Sequence, residues 1–97
     1  MANKKYIQGV NMEYRTMDIL EEIGETPFRM AGSHGLCDVI SFTKSHARLV
    51  QVKSGTATMT PAERESFRDM PCPPCTIKQI WTWKKVKNVW KHKVTDL

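Results

Sequence analysis

Arg48-Leu49-Val50-Gln51-Val52-Lys53 reads as an apolar strand interrupted twice by polar residues near its end. Side chains alternate along a strand, so Gln51 and Lys53 share one face while Val50 and Val52 occupy the other. Upstream, across the polar connection Thr43–Ala47, lies a second such run, Cys37-Asp38-Val39-Ile40-Ser41-Phe42, which Asp38 opens. Polar residues at the end of a central strand border a site. On an edge strand the same residues would be one solvated face.

Outward from this pair, Gln8 to Gly24 reads as the first helix, ended by Gly24 and the break at Thr26-Pro27. Phe28–Ala31 is a short strand, and Gly32-Ser33-His34-Gly35 a turn or loop. After the loop Ser54–Met59, Thr60-Pro61-Ala62-Glu63 carries an N-cap, a proline at the first position and a capping-box glutamate. That helix runs to about Asp69 and stops before Pro71. Ile77–Trp83 sets Ile77, Gln79, Trp81 and Trp83 on one face, and Val89–Val94 pairs with it as a hairpin around Lys85–Asn88. The expected order is α-β-β-β-α-β-β, an α/β layer with a central mixed sheet. Its 97 residues make one domain, spanning 1–97.

In the first helix, Val10, Tyr14, Met17 and Leu20 cluster on one side, and Glu13 falls in the middle of that arc. A carboxylate facing a core is costly unless a cation or donors meet it. At an edge position its long side chain would instead reach water. Glu13, Asp38, Gln51 and Lys53 together make a hard-metal site, because oxygen ligands suit Mg²⁺ or Mn²⁺ where zinc wants His and Cys. A lysine beside such a metal holds a phosphate oxygen or orients a water, stabilising charge that builds at phosphorus during hydrolysis.

Composition sets bounds on this. Apolar residues at 40% and charged residues at 26% suit a soluble globular domain. No run has the length of a membrane span, and no apolar segment follows Met1–Lys5 as a leader would require, so a soluble cytoplasmic protein is expected. The small core favours a homodimer. The net charge of +5 is uneven: Met70 to Thr95 holds no acid, against Lys78, Lys84, Lys85, Lys87, Lys91 and Lys93. Such a segment suits a polyanion or a merely solvated surface. Three cysteines do not make a disulfide framework. Cys72-Pro-Pro-Cys75 has redox or zinc spacing, but its central prolines suggest an extended turn with two small buried thiols.

With these residues in hand, the chain resembles the PD-(D/E)xK nuclease superfamily, above all its small Holliday-junction-resolvase and VRR-NUC-type branches. The matching string is Glu13, Arg29, the loop Gly32-Ser33-His34-Gly35, Asp38, Gln51-Val52-Lys53-Ser54 and the helix Thr60–Asp69. The resemblance implies a restriction-endonuclease-like αβββαβ core. It also implies a Mg²⁺- or Mn²⁺-dependent endonuclease acting on DNA, branched DNA in particular, as a homodimer in a prokaryotic or viral cytoplasm. Carried over, Asp38 is the main metal ligand, with Glu13, Gln51 and the Val52 carbonyl beside it, and Lys53 is the catalytic lysine. Ser33, His34 and Ser54 face the scissile phosphate, although His34 also reads as a surface residue. Glu63 and Arg64 support the site, and Lys84, Lys85 and Lys87 hold DNA. Gln51 departs from the family, which more often has Glu or Asp there. One negative charge is lost, which leaves a DNA-binding module with impaired cleavage as the alternative. A zinc-binding interaction domain built on Cys72 and Cys75 is a third reading.

Overall fold

Why the first helix ends is plain in its last turn. In a computed structural model of the chain, which describes residues 4–30 and 37–97, Gly24 adopts φ +92°. Its amide donates to the Glu21 carbonyl, and the Glu25 amide reaches back to Leu20. This is a Schellman closure, for which glycine is the unstrained residue. The helix, α1, spans Lys4–Glu22, so it starts one turn earlier than Gln8. Its buried stripe is Met12, Thr16 and Leu20, spaced by fours. Tyr14, expected in that stripe, is exposed, because the centre of the apolar arc lies nearer Met12.

The strands follow as β1 (Thr26–Arg29), β2 (Val39–Phe42), β3 (Ala47–Ser54), β4 (Thr76–Val86) and β5 (Val89–Asp96), with helix α2 (Pro61–Asp69) between β3 and β4. They form one five-stranded sheet in sequence order. All neighbours are antiparallel except β3 and β4, which the α2 crossover makes parallel. The expected element order and mixed sheet are found. Pro27 falls within β1 rather than before it, opposite Ser41; an edge strand tolerates the missing amide.

The sheet buries two cores. On the α1 side, Met12 and Leu20 pack with Val39, Val50, Val52, Trp81 and Trp83. Trp83 donates its indole N–H to the buried Thr16 hydroxyl at 2.9 Å, and that hydroxyl donates to the Met12 carbonyl at 2.8 Å. On the other side, Phe67 of α2 meets Leu49 and Cys37. The Thr60 capping box forms as expected. At the far end of α2, Lys78 donates to the Arg68 and Met70 carbonyls, both at 2.6 Å. These are the carbonyls a helix end leaves unpaired, so Lys78 serves the fold rather than a partner.

The hairpin turn is shorter than expected. Lys87 and Asn88 have φ 49° and 63°, the two left-handed residues of a type I′ turn, whose twist matches that of the strands. Cys75 is exposed and Cys72 half-buried, so the expected pair of buried thiols is corrected; Cys37 is the buried one.

Candidate functional site

Three chain segments end together at one end of the sheet. Strand β1 finishes at Arg29, β2 begins just after Asp38, and β3 ends with Gln51-Val52-Lys53-Ser54. The β2–β3 register places Val39 opposite Val50, so one further step would pair Asp38 with Gln51. The chain breaks step there. The Asp38 amide donates to the Val50 carbonyl at 2.8 Å, and its own carbonyl accepts from Met30 at 2.8 Å. Its carboxylate then accepts from the Val52 amide at 2.8 Å.

Glu13 approaches from α1. Arg29 Nε lies 2.8 Å from Glu13 Oε1, and both side chains are mostly buried. The guanidinium also sits 5.3 Å from the centre of the Tyr14 ring, a cation–π distance. Burial pushes the Glu13 carboxyl above its ordinary value; the bond to Arg29 opposes this, and the charge of Asp38 adds to it. Burial likewise raises Asp38, against the Val52 amide and the positive charges of Lys53 and Arg29. Glu13 therefore feels the charge of Asp38, and Asp38 feels Lys53 and Arg29. Two half-buried carboxylates sharing one arginine's field leave negative charge that a cation would offset.

Glu13, Asp38, Arg29 and Lys5 line an open depression of about 260 Å³. Lys53, Ser54, Thr56 and Gln8 line a second, of about 330 Å³. Lys5 and Gly9 border both, so the acids and the lysine open onto adjoining hollows. Gln8 donates to the Ser54 hydroxyl at 3.3 Å. Gly55, at φ +65°, approaches Gln8 so closely that a Cβ would stand 3.0 Å from Nε2. A side chain there would be strained at this φ and would nudge the Gln8 amide from Ser54.

Gln51 is the informative member. Its Oε1 is buried and has no hydrogen-bond partner among the described residues. A buried orphan acceptor costs about 1–3 kcal/mol, and a cation would relieve it. Carboxylate, amide and backbone carbonyl oxygens, the donor types of Glu13, Asp38, Gln51 and Val52, are those a hard divalent ion takes. Among the described residues no three His, Cys, Asp or Glu side chains gather for a metal.

The remaining expected residues fall in different places. Ser33 and His34 lie outside the described residues. Glu63 and Arg64 open α2, exposed; Glu63 is held low by its bonds to Thr60, with a further contribution from the charge of Lys53. Lys84 and Lys85 lie in β4 and Lys87 in the turn, all exposed. Trp81 and Trp83 are buried and Trp90 leans on the same core. One contributor and one pairing were not legible. Lys5 precedes the expected start of the helix, and although Arg29 stands in the string quoted for the resemblance, nothing in the sequence paired it with Glu13. The helical spacing of Lys5, Gly9 and Glu13 was the available signal.

The fold is a helix leading three antiparallel strands, then a crossover helix and a parallel fourth strand. Hjc, a Holliday junction resolvase from the archaeal hyperthermophile Archaeoglobus fulgidus, shares it with a TM-score of 0.64, over 84% of this chain and 72% of its own. The two are 16% identical, so the likeness is one of fold. No protein-family model and no curated protein matches the chain.

Proposed function

We propose that this chain is a metal-dependent endodeoxyribonuclease of PD-(D/E)xK type, hydrolysing phosphodiester bonds of branched DNA. The observation that carries the reading is the Asp38–Val52 bond, which fixes the acid at the start of β2 against the end of β3 that carries Lys53. Glu13 stands close enough to be raised by the same acid. The resolvase fold of the archaeal neighbour supports branched DNA as substrate, and a two-fold homodimer would match the symmetry of a junction.

In this reading Asp38, Glu13, Gln51 Oε1 and the Val52 carbonyl hold Mg²⁺ or Mn²⁺. Bound there, the ion supplies Lewis acidity to a phosphate oxygen and a water of lowered pKa. Lys53 holds a phosphate oxygen and offsets the charge that grows at phosphorus. Ser54, bonded by Gln8, adds to the grip on the phosphate, and Ser33 and His34, outside the described residues, are assigned to it by sequence resemblance alone. Arg29 keeps Glu13 in place and supplies countercharge. No signal or membrane-spanning segment is needed for this role, and a cytoplasmic setting suits it.

A second reading has one specific observation in its favour. With Gln51 in place of an acid and Glu13 tied to Arg29, the site holds less negative charge than a two-acid-plus-one set. That describes a DNA-binding module that keeps the fold without cutting. Junction, flap, single-stranded and linear DNA incubated side by side with Mg²⁺, Mn²⁺ or chelator separate the two. Metal-dependent products on the junction are expected. DNA retained but uncut under every condition would leave only the binding module.

A further inference from the structure

The β4–β5 hairpin carries charge on both of its faces. Trp81 and Trp83 point into the α1-side core, and paired antiparallel residues share a face. Lys85, opposite Trp90, therefore lies on the α1 side, whereas the Lys84–Lys91 pair and Lys93, opposite Thr82, lie on the other. A shallow hollow flanks each side: one of about 350 Å³ bordered by Thr82, Lys91 and Lys93, the other of about 660 Å³ bordered by Lys85, Trp90 and Thr56, with Lys84 at the border of both. Residues 84–89 are all exposed, so the end of the hairpin stands clear of the body. At its tip Val86 and Val89 face each other at 46% and 56% exposure, beside the two-residue turn. Lysines directly opposed repel, and no acid occurs between Met70 and Thr95 to relieve them.

A flat anionic surface or a single strand would call for lysines on one face only. Charge on both faces calls for a polyanion that lies on both sides of a ribbon at once. We propose that the β4–β5 hairpin enters the major groove of duplex DNA tip first, with Lys84, Lys91 and Lys93 against one phosphate ridge and Lys85 against the other. This extends the DNA-binding part of the functional reading and does not depend on cleavage. Dimensions agree. A ribbon with its side chains is about 10 Å thick, the major groove about 12 Å wide and the minor groove about 6 Å. Two to three residues of strand, about 7–10 Å, separate the Lys87–Asn88 turn from Lys85 and the Lys84–Lys91 pair, close to the groove depth of about 8.5 Å. The turn then meets base edges, where the Asn88 amide matches the donor and acceptor of adenine, while the lysines behind it sit level with phosphate.

The test is binding of the full chain to a linear duplex, read by fluorescence anisotropy over a salt series in chelator. Lys84→Gln with Lys91→Gln should flatten the log K against log salt slope by about 1.8, and Lys85→Gln alone by about 0.9. Dimethyl sulfate should find guanine N7, a major-groove atom, protected, and Asn88→Gly, which keeps the positive-φ turn, should weaken that protection while leaving the slope. A slope that responds to one face only, or N7 left open, overturns the proposal. The chelator assay reads the grip alone. A protein that passes it yet cuts nothing with metal supplied retains the hairpin's role and loses the nuclease reading. A protein that cuts but fails it does the reverse.

Discussion

Asp38 takes the Val52 amide on its carboxylate at 2.8 Å, bridging from the start of β2 to the end of β3. The bond uses the acceptor oxygen of the side chain and not its charge. An asparagine in its place would keep the bond and lose the charge, which makes the two roles separable. Burial holds the folded Asp38 carboxyl above its ordinary value, so in the absence of cation the ionised form costs stability at neutral pH, a cost absent below the unfolded pKa. Asp38→Asn should abolish metal-stimulated cleavage while the melting temperature in chelator stays level or rises, by about 4 °C or more per kcal/mol relieved. Thermal unfolding with and without Mg²⁺, alongside a cleavage assay, checks both. Metal-stimulated cutting at the parent rate would remove Asp38 from the site.

Gln51→Glu reverses the departure from the family pattern. With its Oε1 buried and unpartnered, a carboxylate there gains from a cation and suffers without one. Calorimetric titration should show tighter Mg²⁺ binding, and the melting temperature in chelator should fall. Equal affinity in the two proteins would mean that Gln51 is not a ligand.

Lys53→Ala should lower the cleavage rate by about 100-fold or more. Affinity for junction DNA should stay within about threefold, since the hairpin lysines lie on other strands. Single-turnover cleavage and anisotropy on one substrate separate the two effects. Parallel losses would make Lys53 a binding residue.

At the far end of the sheet, Glu25 is buried beneath Arg48, which bonds both of its oxygens, and Ser41 donates to it at 2.8 Å. Arg48 chiefly holds the Glu25 carboxyl below its ordinary value. A depressed folded value gives stability that is complete above the usual carboxylate range and lost as pH falls through the folded value. Glu25→Gln should cost roughly 3 kcal/mol at neutral pH, because Arg48 is left half-paired. The gap from the parent should narrow below about pH 4. Denaturant unfolding at several pH values measures it, and a gap constant with pH would rule the ion pair out as its source.

Much of this was legible beforehand because it rests on short-range signals. The capping box at Thr60, Gly24 as a helix stop and the alternation around Gln51 each depend on a few neighbouring residues. The start of α1 and its buried stripe were read less well. Tyr14 has an apolar ring that fits the arc, yet in the fold it lies outside beneath Arg29, and Met12 fills the core instead. Long-range pairings left no trace in the sequence: Arg29 with Glu13, Lys78 on the end of α2, Trp83 on Thr16. Each joins residues whose separation along the chain carries no periodicity.

The two borders of the sheet also govern how this chain meets others of its kind. A strand added at β1 would find Pro27 with no amide to offer across a strand of four residues. One added at β5 would bring its side chains beside Lys91 and Lys93. Both are features that discourage edge-to-edge growth. Runaway stacking into filaments is thereby opposed at either end, and self-association of this chain is left to the faces of its sheet and helices.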